Sequence, residues 1–312
     1  MIELSYITTL LVWFVFYWIF AMGQNIMLGY GGLPMLGFMG LVAVGGYTTA
    51  ILSTQYNLPF IATLPISAIM AMLVGFALGL LFMRGKLAGP YLVVGSIGFN
   101  YVVIAILSFA PYFGRMYGIM GVPPPEILGY SFSSSSAFVI LGLSIALVLL
   151  YFNLRFSKSR LGLGLKAVRE DSIAAESVGI NSLRLKVLAF VLGALYAGVG
   201  GCLYVYFIRS AHPVYFDFEG SIEVFTMVIL GGMGTIIGPF IGAMVPTLVP
   251  EVLRGRVPVE ARFLVYSVVI ILVILFEPSG LLGEESRLRR SLSKLLKPLS
   301  PTFERLKTFL KV

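Results

Sequence analysis

The sequence predicts an all-α protein built as a polytopic membrane helix bundle, and three observations carry this prediction. Hydrophobic residues make up 58% of the 312 residues and charged residues only 12%, whereas soluble domains carry about 25% charged residues. Apolar runs recur along the chain, and each bilayer crossing takes about 20 such residues. Glycine and proline interrupt two of the runs. We therefore expect roughly 8–10 spans, including two broken segments.

The apolar runs give the order of the predicted spans. They cover 4–22, 33–53, 60–83, 87–110, 136–154, 185–208, 222–250 and 262–276. Basic residues cluster after the third run, between 155 and 186, and in a tail over 284–312. The positive-inside rule assigns these segments to the cytoplasm and the base-poor loops 111–135 and 209–220 to the outside. A multi-pass protein of the cell membrane is the expected result.

The two interrupted runs are LGYGGLPMLG at 28–37 and LGGMGTIIGP at 230–239. Because loop 209–220 is outside and the tail inside, run 222–250 must cross an even number of times or enter and turn back. We predict two half-helices that meet near 231–239, with 250–262 outside. Paired interruptions indicate a substrate path and raise the hypothesis of an internal inverted repeat. The alternative is that the glycines only let helices pack closely.

Neutral polar groups inside the apolar runs are the candidate path residues, because they can hydrogen-bond a zwitterion or an amide. They are Thr48, Ser96, Asn100, Tyr101, Gly232 and Thr235. Half-helix N-termini near 232–235 can also offer N–H groups to a carboxylate. Each of these residues equally suits an ordinary helix–helix contact.

Several function classes lack the residues they need. The 14 acids and 22 bases lie outside the run centres or at their ends, which argues against an ion-coupled carrier and leaves no catalytic cluster for an intramembrane enzyme. The stretch MRGKLAG does not match the pattern of a phosphate-binding loop, because Leu87 stands where that pattern requires Ser or Thr. One cysteine and one histidine, Cys202 and His212, make neither a disulfide nor a metal site. The basic residues behind the net charge of +8 lie at helix ends and in the tail, so the charge does not indicate a nucleic-acid partner. Uphill transport would therefore need energy from another subunit.

The charged stretch REDSIAAESVGI, 169–180, is predicted to be a short cytoplasmic helix that a partner can push. Asp171 or Ser172 can cap its start, and Gly179 can end it in a left-handed conformation. Its small alanines would fit a groove, and its acids can pair with basic residues. The candidate coupling residues are Glu170, Asp171, Ala174, Ala175, Glu176 and Gly179. A solvated helical loop without a partner is the alternative.

Four stretches resemble one family of transport proteins. GLGLKAVREDSIAAESVGINSLRLKVLAFVLGALYAGVGGCLYV, from residue 162, is similar to the coupling loop and following helix of ABC-importer permeases, most closely the LivM-like branched-chain amino-acid permeases. SIEVFTMVILGGMGTIIGPFIGA at 221–243 and FEPSGLLG at 276–283 resemble later signatures of that family. NIMLGYGGLPMLGFMGLVAVGGYTTAIL at 25–52 is a weaker match.

The resemblance implies an inner-membrane permease domain over 1–283, with a coupling loop at 157–184 and a basic cytoplasmic tail at 284–312. It implies a heterodimer with a second homologous permease, two ABC ATP-binding subunits that hydrolyse the ATP, and an extracytoplasmic solute-binding protein. It places ATPase docking on Glu170, Ala174, Ala175, Glu176 and Gly179. No cofactor is expected on this chain. Transport would proceed by alternating access, with ATP-driven motion of the 171–179 helix.

Two departures from the family pattern bear on the solute. Met35 and Phe38 stand where the family usually has Ser and His or Gln, and the pattern before the external loop is reduced to YGIMGVPPP. Branched-chain amino acids are the first expectation, and other amino acids, urea and short amides stay open. A stand-alone carrier or channel for a small neutral solute is the alternative function. The basic tail can form a helix on the inner leaflet or lack regular structure.

Overall fold

The computed structural model of the chain describes residues 2–127 and 129–252 and the single positions 268, 271, 275, 280 and 281. Its α-helices are α1 (Ile2–Asn25), α2 (Phe38–Thr54), α3 (Phe60–Arg84), α4 (Pro90–Phe109), α5 (Ser135–Lys158), α6 (Arg160–Glu170), α7 (Ser172–Ser177), α8 (Ser182–Ile208), α9 (Phe218–Gly231) and α10 (Gly238–Val252). A π-helical turn, Ile26–Tyr30, extends α1, and 3₁₀ turns lie at Pro111–Phe113, Arg115–Tyr117 and Pro213–Phe216. The two-residue strands β1 (Ile119–Met120), β2 (Glu126–Ile127), β3 (Tyr130–Ser131) and β4 (Ser210–Ala211) pair antiparallel as β1–β4 and β2–β3. Apart from isolated positions, the predicted span 262–276 and the tail 284–312 lie outside the described residues.

Five helices in the described part of the chain are long and apolar enough to cross a bilayer. They are α1 with its π-helical turn, α3, α4, α5 and α8. Large apolar side chains such as Leu73, Val102 and Ile140 are exposed on α3, α4 and α5, as a lipid-facing surface requires. The chain is therefore a polytopic helical membrane protein, as the sequence predicts.

The two loops predicted to lie outside meet in the structure. Strand β1 of the first loop pairs with β4 of the second, with Ile119 opposite Ala211. At the other end of the bundle, the loop after α3, the α6–α7 joint and the first turn of α8 line one cavity. The two base-rich segments that the structure describes, after α3 and between 155 and 186, therefore share one side, which we call the cytoplasmic side on the positive-inside rule.

Helix α8 is the centre of the bundle because α1, α2 and α3 all pack against it. Glycines allow the close crossings. A Cβ atom at Gly45 of α2 would lie 2.5 Å from the Cα of Gly198, and one at Gly75 of α3 would lie 2.5 Å from the Cβ of Ala194. Small residues at such crossings let backbones approach and gain dispersion contacts in lipid. These glycines outside the two interrupted runs therefore serve helix packing.

Helices α9 and α10 form a pair of half-helices. They contain 14 and 15 residues, so each rises roughly 21 Å, less than a hydrocarbon core of about 30 Å. They meet at the non-helical residues 232–237, and α10 packs back against α9. Near the far end of α10, Glu251 accepts a hydrogen bond from Tyr6 at the outer end of α1. The segment enters from the outer side and returns to it, as the predicted parity requires.

Candidate functional site

Helix α7 begins at a side-chain cap on the cytoplasmic side. One carboxylate oxygen of Asp171, Oδ1, accepts hydrogen bonds from the backbone N–H groups of Ile173 at 2.8 Å and Ala174 at 3.0 Å. Such a cap satisfies amide groups that have no partner within the first helical turn. Of the two caps considered from the sequence, Asp171 and Ser172, the structure uses Asp171.

The end of α7 is fixed by a Schellman motif, in which a glycine takes a left-handed conformation. Gly179 has φ +85°. Its N–H donates to the carbonyl of Glu176, and the N–H of Ile180 donates to the carbonyl of Ala175, both at 3.0 Å. Asn181 then caps α8 directly. A short helix with both ends fixed and a transmembrane helix immediately after it can move as one body.

The two alanines of α7 face opposite environments. Ala175 is only 4% exposed, because it packs within its own chain. Ala174 and Glu176 are exposed. Next to them, Ile173 and Val178 are 80% and 75% exposed, which is unusual for large apolar side chains on a cytoplasmic helix. The outward surface of α7 is therefore formed by Ile173, Ala174, Glu176 and Val178, and we call this set the α7 surface.

Helix α6 connects α7 to the π-helical turn at the end of α1 and to the non-helical residues 31–37 that follow it, which we call the first break. The ammonium group of Lys166 lies 5.1 Å from the ring centre of Tyr30 in the π-helical turn, a cation–π arrangement. One turn later, the Nη1 atom of Arg169 donates to the carbonyl oxygen of Gly29. The Arg169 stem runs beside Gly32, where a Cβ atom would lie 2.9 Å from the arginine Cγ.

Two adjacent carboxamides in the last turn of α1 bind the two breaks. Gln24 Nε2 donates to the carbonyl of Met35 at 2.8 Å. Asn25 Nδ2 donates to the carbonyl of Thr235 at 2.9 Å, and Asn25 Oδ1 accepts from the backbone N–H of Gly234 at 2.9 Å. The first break, residues 31–37, and the second break, residues 232–237, are therefore held to the same helical turn.

A cavity of about 320 Å³ opens beside the first break on the cytoplasmic side. Its lining includes Gly32, Leu33, Gly89, Arg169, Glu170, Asp171 and Lys186. The predicted coupling residues Glu170 and Asp171 are thus at the rim of a space that reaches the break itself. The loop after α3 forms the opposite wall. This places the predicted coupling residues and the first break around one opening.

Two of the predicted path residues, Ser96 and Asn100, lie buried on one face of α4, and Ser96 contacts the first break. Ser96 Oγ accepts from the backbone N–H of Leu36 at 2.9 Å and donates to Val93. Asn100 Nδ2 contacts the carbonyl of Phe216 at 3.4 Å, while its Oδ1 has no hydrogen-bond partner among the described residues. Ser96 is a satisfied structural contact, and Asn100 keeps one acceptor available.

The remaining predicted path residues are dispersed. Thr48 donates to the carbonyl of Val44 within α2, and Tyr101 is 57% exposed on the outside of the bundle. Gly232 ends α9 with φ +116°. Thr235 Oγ1 donates to the Gly232 carbonyl at 2.8 Å and accepts from an amide at the start of α10. The structure groups Gly232 with Thr235 and Ser96 with Asn100, and it does not gather all six residues into one site.

Sequence reasoning missed five residues of this region. Gln24, Asn25 and Arg169 make the long-range bonds, and Ile173 and Val178 form the apolar part of the α7 surface. The pair of adjacent carboxamides after 20 mostly apolar residues was a visible signal, because buried amides need partners. The apolar residues flanking the alanines were a second signal.

Comparison with known proteins is consistent across most of the chain. Residues 6–276 match the family described as branched-chain amino acid transport system / permease component. The high-affinity branched-chain amino acid transport system permease protein LivM of Escherichia coli K12 is 32% identical over 290 aligned positions, covering 85% of this chain and 67% of the relative. A probable LivM of Methanocaldococcus jannaschii is 23% identical, with 96% and 99% covered. The LivH permease of Escherichia coli K12 is 32% identical over 51% of this chain and 50% of its own length.

Proposed function

This chain belongs to the branched-chain amino acid transport permease family, and we propose that it is one of two permease subunits of an ATP-driven importer. The second subunit is a homologous permease. Two ABC ATP-binding subunits attach on the cytoplasmic side and hydrolyse the ATP, and a solute-binding protein delivers the solute on the outer side. Two different permeases of the Escherichia coli system, LivM and LivH, are both similar to this chain, which supports a heterodimer.

The observation that carries the proposal is α7 itself. It is capped at both ends, presents exposed apolar side chains to the cytoplasm, and leads directly into the central helix α8. Exposed apolar groups that a polar rim surrounds mark protein interaction sites. The α7 surface therefore docks in a groove of the ATPase, with Ile173 and Val178 as anchors. Ala175 serves from inside, because its small side chain lets α7 pack closely on its own chain.

The solute that we propose is a branched-chain amino acid, as in the names of the relatives. The departures at Met35 and Phe38 carry little weight for urea or an amide, because both side chains are 0% exposed. Phe38 packs on Phe20 with ring centres 6.4 Å apart. The acceptor of Asn100 that has no partner among the described residues is the group that we assign to recognition of the solute, since the N–H groups of Gly232, Gly234 and Thr235 in the second break already have partners. Alternating access then moves the two breaks relative to the rest of the bundle.

The proposal is tested by purifying the tagged chain in mild detergent and identifying what co-purifies. We expect an ABC ATPase and a second permease with the wild type. Ile173→Asp and Val178→Asp, tested singly, place a charge where an apolar anchor enters the groove, and a buried unpaired charge costs several kcal/mol. Each should remove most of the ATPase and leave the second permease bound.

Val214→Asp is the matched control, since Val214 is 65% exposed on the opposite side of the membrane. It should keep the ATPase at the wild-type level. A wild-type chain that purifies alone and transports leucine into liposomes without ATP would instead be a stand-alone carrier or channel. Equal ATPase recovery from all three variants would show that the α7 surface is not the docking site.

A further inference from the structure

The position of Arg169 has a consequence beyond ATPase docking. It is the penultimate residue of α6, and Asp171, the cap of α7, follows two positions later. Its side chain points away from the α7 surface and toward the end of α1. There Nη1 donates to the Gly29 carbonyl in the π-helical turn. One side chain thus joins the C-terminal end of α6 to the π-helical turn that precedes the first break.

The same guanidinium group is also close to the second break. A Cβ atom at Gly234 would lie 3.1 Å from Arg169 Nη1 and 2.9 Å from the Gly29 carbonyl oxygen. Gly234 in turn donates its N–H to Asn25 Oδ1 at 2.9 Å. Three segments far apart in sequence therefore meet around the Nη1 atom of Arg169: the end of α6, the π-helical turn and the second break.

Glycine is required at this meeting point. Gly32 has φ +63° and Gly234 has φ +73°, conformations that other residues adopt at a cost. The absence of side chains also lets the arginine stem pass Gly32 at close range. A planar guanidinium with several donors can hold a carbonyl at the end of a long stem in a fixed direction, whereas an ammonium group acts as a point charge.

From this geometry we propose that Arg169 is the positioning residue that transmits displacement of the α6–α7 segment to both helix breaks. The inference rests on the proposed ATP-driven function. Movement of α7 by the ATPase carries the C-terminal end of α6 with it. Because Arg169 binds the Gly29 carbonyl, the π-helical turn follows, and Asn25 carries the second break along. Glu170, Asp171 and the α7 surface receive the force, and Arg169 passes it into the membrane domain.

The inference predicts that loss of the guanidinium separates ATP hydrolysis from transport. The whole complex is reconstituted in liposomes with its solute-binding protein, and leucine uptake and phosphate release are measured in the same vesicles. For Arg169→Gln we expect ATPase subunits bound at the wild-type level and hydrolysis retained, with leucine uptake per ATP lowered about tenfold. Arg169→Lys keeps the charge but not the fork of donors, so its leucine uptake per ATP should fall between the values for the wild type and Arg169→Gln.

Arg160→Gln is the control, since it makes the same change at the other end of α6. It should leave the ratio of uptake to hydrolysis unchanged. Loss of the ATPase from the Arg169→Gln complex would overturn the inference, because Arg169 would then belong to the docking surface. An unchanged ratio would overturn it too. If Arg169→Gln does not accumulate, an unchanged ratio in Arg169→Lys has the same meaning.

A second measurement separates this inference from the proposed function. Hydrogen–deuterium exchange of the purified chain follows the backbone amides of Gly32 and Gly234. We expect both to exchange faster in Arg169→Gln than in the wild type and in Arg160→Gln. If wild-type vesicles show no ATP-dependent leucine uptake, that result counts against the proposed function alone. In either case, unaltered exchange at both glycines in Arg169→Gln would refute the link between Arg169 and the two breaks.

Discussion

The two helix breaks have similar sequences and different supports. In the first, the backbone closes on itself, because the N–H groups of Gly31, Gly32 and Leu33 donate to carbonyls of the preceding turn at 3.0–3.1 Å. In the second, the N–H groups of Gly232 and Thr235 donate to the carbonyls of Val228 at 3.1 Å and Gly232 at 3.4 Å, and the N–H of Gly234 is bonded to the Asn25 side chain instead of to the backbone. Ile237 at its end is 60% exposed.

The comparison indicates which break is the more easily displaced. A segment with few backbone bonds and little burial opens at low free energy, whereas a buried and bonded one resists. The second break is held by the side chain of Asn25 in α1 and by the side chain of its own Thr235. We therefore expect the second break to be displaced more easily than the first when the coupling segment moves.

The largest expected effect is on the first break, at Gly37. A Cβ atom there would overlap the carbonyl oxygen of Ser96 in α4, so Gly37→Ala forces two backbones apart. Overpacking of this kind costs about 1–3 kcal/mol or more. We expect a clear loss of monodisperse protein after detergent extraction and a lower midpoint of thermal unfolding.

Gly234→Ala is the corresponding change in the second break, and Gly98→Ala is the neutral control. The first meets a strained φ of +73° and a contact at 2.9 Å, and left-handed alanine costs roughly 1–2 kcal/mol. No atom lies within 4 Å of a Cβ at Gly98. The midpoint should fall most for Gly37→Ala, less for Gly234→Ala and hardly at all for Gly98→Ala. A larger fall for Gly234→Ala would reverse the comparison.

The adjacent carboxamides of α1 provide a sharper test. Asn25→Leu removes the partners of the Gly234 N–H and the Thr235 carbonyl, whereas Gln24→Leu removes only the partner of the Met35 carbonyl. Each buried group left without a partner costs about 1–3 kcal/mol. Thermal unfolding in detergent should show a larger loss of stability for Asn25→Leu. Equal losses would mean that the second break does not depend on α1.

Much of the architecture could be predicted from local sequence. Apolar runs set the spans, the charge distribution set the parity, and that parity required α9 and α10 to return to the outer side. The caps of α7 were foreseen because Asp171 and Gly179 have strong local preferences at helix ends. The predicted roles of the coupling and path residues stay predictions, since nothing in the fold alone tests them.

The links between the segments could not be foreseen. Arg169 meets Gly29 across 140 positions, and Asn25 meets Thr235 across 210. A side chain that binds a distant backbone carbonyl leaves no periodic signal, because its partner is an atom that every residue carries. Likewise, the sequence shows two adjacent alanines in α7, but only the packing of α7 on its own chain decides that Ala175 is buried and Ala174 exposed.

The smallest expected effect concerns the support of the second break by its own residues. Thr235→Val keeps the shape of the side chain and removes the hydroxyl that binds the Gly232 carbonyl and the Gly238 N–H. Loss of a cap of this type costs about 1 kcal/mol, which corresponds to a fall of roughly 2–4 °C in the unfolding midpoint. Thr235→Ser keeps the hydroxyl and should stay near the wild type. If both variants unfold at the wild-type temperature, the hydroxyl does not support the break.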